Sequence, residues 1–153
     1  NFCCSTNLPD PFVLAEAPAI RSPKILYSLD NLSCKIEPCC DANCQTRYNI
    51  VIVGCIPFIA DAGVRVVDDC TSPTGSAIRI SASCCVSVDT TVCTACTLAA
   101  AIKACARIEA KLESCSCVTV SNLAANESGN CTVIFTGAFI LPDCSAVAAN
   151  CQA

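Results

Sequence analysis

The sequence predicts a mainly β domain of the α+β class, folded as a β-sandwich-like structure with one helix. From position 24 onward, most apolar residues stand in short runs rich in β-branched side chains, which is typical of strands. One segment, residues 97–115, instead has apolar residues at helical spacing. The chain has 153 residues, of which 54% are hydrophobic, and this is enough for the core of one domain. We therefore expect one helix to cover part of a sheet.

The first 23 residues are predicted to form an extended N-terminal arm. Four prolines, at positions 9, 11, 18 and 23, interrupt both a helix and a continuous strand. The arm is also apolar, so we expect it to lie along a protein surface, either that of its own domain or that of a neighbouring molecule. The cysteine-rich, β-rich domain then comprises residues 24–153.

Strand patterns follow one another through that domain, and about six to eight strands are expected. The clearest are residues 24–29, 47–60, 64–68, 77–88, 117–120 and 131–140. In the strand at 77–88, the even-numbered residues are apolar or cysteine and share one face. Gly54 and Pro57 are expected to cause a bulge or a break in their strand.

The predicted connections contain turn-forming residues. Ser72-Pro73-Thr74-Gly75 suits a β-turn, because proline favours the second position and glycine accepts a positive φ. The polar stretch at 126–130 separates the last two strands. The span 34–44 contains four cysteines and is predicted as a loop.

Residues 97–115 are predicted to form an amphipathic helix of about five turns. Thr97 or Thr94 is the expected N-cap. The residues at spacings of three and four, which we expect to face a sheet, are Leu98, Ala101, Ile102, Cys105, Ile108, Leu112 and Cys115. The opposite side of the helix has a basic row formed by Lys103, Arg107 and Lys111.

The charged residues argue against several functions. Only nine Lys and Arg residues are scattered along a chain of net charge −4, so we expect no nucleic-acid partner. The longest strongly apolar stretch, residues 50–60, is too short to span a membrane. Because the chain has no histidine, the usual serine and cysteine triads are excluded, and Asp68-Asp69 is interpreted as a solvated turn. We therefore expect no enzyme activity and no cofactor.

Eighteen cysteines dominate the composition. Thiols at this density persist as disulfides only in an oxidising environment, so we expect an extracellular location on a cell or spore surface. Adjacent cysteines rarely bond each other, and on a strand they point to opposite faces. One member of such a pair can then bond inside the domain while the other bonds a second molecule. The candidates for intermolecular disulfides are Cys3, Cys4, Cys39, Cys40, Cys84 and Cys85, with Cys3 and Cys4 first because they lie in the arm. The alternative is that all bonds are internal.

The spacing of the cysteines suggests two other roles. Cys93-Thr-Ala-Cys96 lies just before the predicted helix, where a thiolate would be stabilised, so it is a candidate redox pair. It lacks the βαβ context and flanking aromatic residue of thioredoxin-like motifs, and we favour structural bonding. Cys40 and Cys44 could pair with Cys93 and Cys96 as zinc knuckles, but the absence of histidine and the long apolar strands argue against a metal site.

The combination of features resembles the cysteine-rich, self-assembling proteins of bacterial endospore surfaces, namely exosporium basal-layer proteins and spore-appendage subunits. In the appendage family, an N-terminal connector with an apolar residue before a Cys-Cys pair docks on another subunit of a β-sandwich filament and is locked by disulfides. Phe2-Cys3-Cys4, followed by the proline-rich arm, is similar to that connector. This chain departs from the family in its long helix, its higher cysteine content and the distance to the next cysteine, Cys34. A two-dimensional lattice is therefore equally compatible.

The sequence thus predicts a structural subunit that self-assembles into a disulfide-cross-linked extracellular filament or two-dimensional lattice. Its partner would be itself, as a homopolymer formed through the N-terminal arm, strand edges and disulfides. The alternatives are a secreted monomeric binding module with internal disulfides only and, less favoured, a thiol-disulfide oxidoreductase that uses Cys93 and Cys96.

Overall fold

The computed structural model describes residues 1–43, 45–66, 78–114, 117–129 and 131–144. The predicted turn at 72–75 and Asp68-Asp69 lie outside the described residues. Four of the cysteines lie outside them as well, and these are Cys44, Cys70, Cys115 and Cys151.

The fold is mainly β, which confirms the predicted class. The eight strands in the described part of the chain are β1 (Phe2–Asn7), β2 (Phe12–Leu14), β3 (Lys24–Tyr27), β4 (Leu32–Cys40), β5 (Thr46–Val66), β6 (Ile78–Ala95), β7 (Thr119–Ser128) and β8 (Thr132–Ile140). The two helices there are α1 (Pro18–Arg21), which is a single turn, and α2 (Leu98–Glu113).

The strands form two antiparallel sheets. The first has the order β1-β8-β7. In the second, β2, β3, β4 and β6 all pair with the long strand β5. The chain forms two compact units, and β5 and β6 each contribute residues to both.

The first unit comprises Asn1–Tyr27, Pro57–Cys85 and Val120–Phe139, and its core joins the two sheets. The ring of Phe2 in β1 lies 4.6 Å from that of Phe58 in β5 and 5.1 Å from that of Phe139 in β8, measured between centroids. Cys4 of β1 bonds Cys84 of β6. Side chains from the two sheets therefore pack face to face, as the predicted sandwich requires.

The second unit comprises Ser28–Ile56, Val86–Thr119 and Ile140–Ala153, and here α2 packs on β4. The helix buries Ala101, Ala104, Cys105, Ile108 and Leu112. Cys105 bonds Cys34 of β4, so the contact between helix and sheet is covalent as well as apolar. The strand β5 contributes the buried residues Ile50, Val51 and Ile52.

The N-terminal segment lies along its own chain. β1 pairs with β8 over its whole length, from Phe2 opposite Gly137 to Asn7 opposite Thr132, and β2 pairs with β5. The sequence left open whether this segment lies on its own domain or on a neighbouring molecule. In the structure it lies on its own domain. Two of the prolines, at positions 9 and 11, lie between β1 and β2, and Pro18 begins α1, where a missing N–H is tolerated.

The prediction of a loop at 34–44 was wrong for most of the span, because residues 32–40 form β4. β4 pairs with β5 in regular antiparallel register, with Cys34 opposite Ile52 and Cys39 opposite Arg47. Pro38 is compatible with this because β5 is the only described strand that pairs with β4, and an edge strand tolerates a missing N–H.

The helix prediction was right in position and partly wrong in its buried face. Thr97 is the N-cap, and its hydroxyl accepts a hydrogen bond from the backbone N–H of Ala100 at 3.2 Å. Leu98 and Ile102, which were expected to face the sheet, are instead 49% and 53% exposed. Ala104 takes a place on the buried face, because a small side chain permits close packing on β4.

Three strands are longer than expected. β5 continues through Pro57, and through Gly54 with a φ of +135°. β6 continues past Val88 to Ala95, and β7 extends to Ser128, so it includes part of the turn predicted at 126–130.

Candidate cross-linking sites

Most of the described cysteines are bonded inside the chain. Three cystines are Cys4–Cys84, Cys34–Cys105 and Cys93–Cys144, and Cys55, Cys85 and Cys96 are disulfide-bonded as well. Among the described residues, the thiols of Cys3, Cys39, Cys40 and Cys131 are free. These four are the candidates for bonds between molecules.

The six cysteines that the sequence singled out thus fall into two groups. Cys4, Cys84 and Cys85 are used in disulfides of the chain itself, and they are no longer candidates for intermolecular bonds. Cys3, Cys39 and Cys40 are free and remain candidates. In each of the three adjacent pairs, one member is less exposed than the other, as expected for neighbours on a strand.

Cys3 lies on the outer face of β1. Its neighbours Phe2 and Cys4 are 6% and 2% exposed, so the alternation of the strand directs Cys3 outward. The ring of Phe2 lies directly over Gly137, where an added Cβ would come within 2.6 Å of the ring, so a larger residue there would displace the ring. This close approach and the Cys4–Cys84 bond keep the thiol of Cys3 in solvent.

Cys131 lies just before β8 and was missed by the sequence analysis, which concentrated on adjacent cysteines. Its carbonyl accepts a hydrogen bond from the backbone N–H of Leu8 at 2.6 Å, and its φ is +56°. The exposed thiol lies 3.9 Å from a carboxylate oxygen of Asp10. The available signal in the sequence was the polar stretch at 126–130, which immediately precedes Cys131.

Cys40 ends β4, at the start of a turn organised by Asp41. The carboxylate of Asp41 accepts hydrogen bonds from the backbone N–H groups of Asn43 and Gln45 and from Nε of Arg47, at 2.9 to 3.0 Å. The hydrogen bond from Gln45, followed by those from Arg47 and Asn43, lowers the pKa of Asp41 below its ordinary value. The hydrogen bonds of Asp41 therefore lie next to the exposed thiol of Cys40.

Cys39 points to the other face of β4 and is half-buried. Its thiol lies 3.3 Å from the side-chain oxygen of Asn49, which also accepts a hydrogen bond from the hydroxyl of Thr94 at 2.9 Å. Arg47, directly opposite Cys39, extends toward the sulfur of Cys96 at 3.9 Å. Cys39 is thus held in a polar cluster and is less accessible than Cys40.

The described residues do not form the redox pair or the zinc site that the cysteine spacing suggested. Cys93 is bonded to Cys144, so Cys93 and Cys96 do not form a redox pair with each other. No group of three or more metal-binding side chains was found among the described residues. No helix in the described ranges is long and apolar enough to cross a membrane.

The geometry establishes a disulfide-rich protein, which is compatible with an extracellular or secreted location because such bonds persist outside the reducing cytosol. Comparisons with models of protein families, with curated proteins and with solved structures found no match.

Proposed function

We propose that the protein is a structural subunit that self-assembles outside the cell into a disulfide-cross-linked filament or lattice. The cysteine-rich composition, which resembles that of endospore surface proteins, is the reason for placing this assembly on a spore surface. Phe2 and Cys4 themselves lie in the core of their own chain and do not form a free connector. The observation that favours the proposal most is the presence of three exposed thiols, those of Cys3, Cys40 and Cys131, on a chain that otherwise uses most of its described cysteines in internal bonds.

The number of exposed thiols bears on the form of the assembly. A subunit with one cross-linking thiol stops at a covalent dimer, whereas a subunit with two or more can be bonded to several neighbours. Two thiols form each bond by giving two electrons and two protons to dioxygen, or by exchange with an external disulfide. Three exposed thiols therefore allow a polymer to grow in an oxidising environment.

Strand edges offer a way to align subunits before they are bonded. Among the described strands, β1 pairs only with β8 and β4 pairs only with β5. Each therefore presents one side whose backbone groups can add a strand from a neighbouring molecule. Cys3 and Cys40 lie on these same strands, so strand addition would bring their thiols close to another subunit.

Gel electrophoresis without reductant tests the proposal. The air-oxidised wild type is expected to give a ladder of covalent oligomers, which collapses to 15.8 kDa after reduction. Replacing Cys3, Cys40 and Cys131 together by serine is expected to leave a monomer in both lanes. Cys39→Ser is the matched control. It should keep the ladder, because the thiol of Cys39 is half-buried and donates a hydrogen bond to the side-chain oxygen of Asn49.

Two outcomes would contradict the proposal. If the triple variant forms the same ladder as the wild type, these thiols are not the cross-links. If the oxidised wild type runs as a single monomer, the monomeric binding module is the better account.

A further inference from the structure

The outward face of α2 carries an apolar stripe that the described part of the chain leaves exposed. Ile102, which is 53% exposed, is followed at spacings of four by Ala106 and Ala110, both exposed, and is preceded by Leu98. The sheet covers the opposite side of the helix, where Ile108 and Leu112 are buried. A helix at the surface of a globular domain normally has a polar outward face. The stripe therefore needs another explanation.

Charged residues flank this stripe in two separate rows. Lys103 and Arg107 lie on one side of it and are followed by Lys111, while Glu109 and Glu113 lie on the other side. Like charges four residues apart repel each other on an isolated helix. Within the described ranges, no ion pair involves Lys103, Arg107 or Lys111. In coiled coils, charged residues that flank the apolar contact select the partner helix and its orientation.

The geometry points to a second copy of this chain as the partner, bound through the outward face of α2, with the two helices parallel and related by a two-fold axis along their length. This symmetry places the basic row of each helix against the acidic row of the other. An antiparallel pair would place the basic rows together and the acidic rows together. Charge complementarity therefore selects the parallel arrangement, and the small side chains of Ala106 and Ala110 permit close approach.

This interface extends the proposed function, since it supplies a non-covalent contact between subunits, and its role in assembly rests on that proposal. The contact itself needs no disulfide. It involves the outward face of α2, which contains none of the exposed thiols. It can therefore be measured on protein in which cross-linking is chemically blocked.

Sedimentation velocity on protein alkylated with iodoacetamide under native conditions tests the contact. The alkylated wild type is expected to show a reversible monomer–dimer equilibrium. Ile102→Gln should weaken dimerisation by about tenfold, because it removes an apolar side chain from the interface. Leu26→Gln is the matched control, since Leu26 is 77% exposed on β3 and lies outside the helix. It should leave the equilibrium unchanged.

A charge-reversal pair tests whether the two charged rows flank the interface. Lys103→Glu combined with Arg107→Glu gives a helix with two acidic rows, and Glu109→Lys combined with Glu113→Lys gives one with two basic rows. Each variant alone is expected to lose the dimer, while an equimolar mixture should restore it as a heterodimer.

An alkylated wild type that stays monomeric, or a mixture that stays monomeric, would overturn the inference. A monomer in this assay together with a covalent ladder on the gel would leave the proposed function standing. A dimer here without a ladder would refute cross-linking and keep the helix contact.

Discussion

Single residues decide which thiols are available for cross-linking. Adjacent cysteines on a strand point to opposite faces, and this could be predicted from the sequence, as Cys3-Cys4 and Cys39-Cys40 show. Which member points inward could not be predicted, because it depends on the register of β1 with β8 and of β4 with β5. Cys131 was missed for a related reason, since its exposure depends on how the chain enters β8, where Cys131 has a positive φ.

The turn after Cys40 should be sensitive to acid. The folded chain lowers the pKa of Asp41 below its ordinary value of 3.8, so its ionised form is favoured by folding. Its stabilising contribution is fully present above about pH 4 and is lost as the pH falls through the lowered pKa. The difference in the free energy of unfolding between wild type and Asp41→Asn, measured by chemical denaturation, should therefore shrink below about pH 4. A difference that stays constant down to pH 2 would contradict this role.

The backbone conformation and the surroundings of position 54 require glycine. Its φ is +135°, and an added Cβ would overlap the carbonyl oxygen of Asn31. Gly54→Ala is therefore expected to lower the free energy of unfolding by about 2–4 kcal/mol, measured by denaturant titration with the disulfides intact. Gly129→Ala is the control, because a Cβ there meets nothing within 4 Å, and it should change stability by less than about 1 kcal/mol. Equal effects of the two substitutions would contradict the account of Gly54.

At the scale of elements, α2 was the most predictable part of the fold. Alanine and charged helix formers between Thr97 and Glu113 favour a helix regardless of tertiary context, and the N-cap was correctly expected. The buried face includes Ala104 and leaves out Leu98 and Ile102, because it depends on how α2 packs on β4, which no sequence pattern reports. β4 was missed because its cysteines suggested a loop, although alternation and an edge position make it a strand.

Two isoleucines of α2 provide a direct test of its orientation. Ile108 is 2% exposed and Ile102 is 53% exposed, so the same substitution probes both faces of one helix. Ile108→Ala is expected to lower the free energy of unfolding by about 2–4 kcal/mol, whereas Ile102→Ala should change it by less than about 1 kcal/mol. Denaturant titration at a protein concentration that keeps the chain monomeric measures both. A larger loss from Ile102→Ala would show that the helix faces the other way.

At the scale of the whole molecule, the cysteine count predicted a disulfide-rich fold but not its connectivity. The three cystines join residues 80, 71 and 51 positions apart in the sequence, so the pairing depends on how the sheets and the helix pack. Internal bonds of this kind stabilise each unit, at about 2–4 kcal/mol for each bond. The exposed thiols that are not used in these internal bonds make the folded chain a candidate subunit of a cross-linked assembly.

Disulfide mapping of an isotopically mixed assembly tests the central claim most directly. Equal amounts of unlabelled and ¹⁵N-labelled protein would be oxidised together, digested without reduction and analysed by mass spectrometry. We expect cystine peptides that contain Cys3, Cys40 or Cys131 to include hybrids of one labelled and one unlabelled chain, while Cys4–Cys84, Cys34–Cys105 and Cys93–Cys144 occur only within one isotope. If no hybrid contains any of the three exposed cysteines, the chain does not cross-link through them and the account fails.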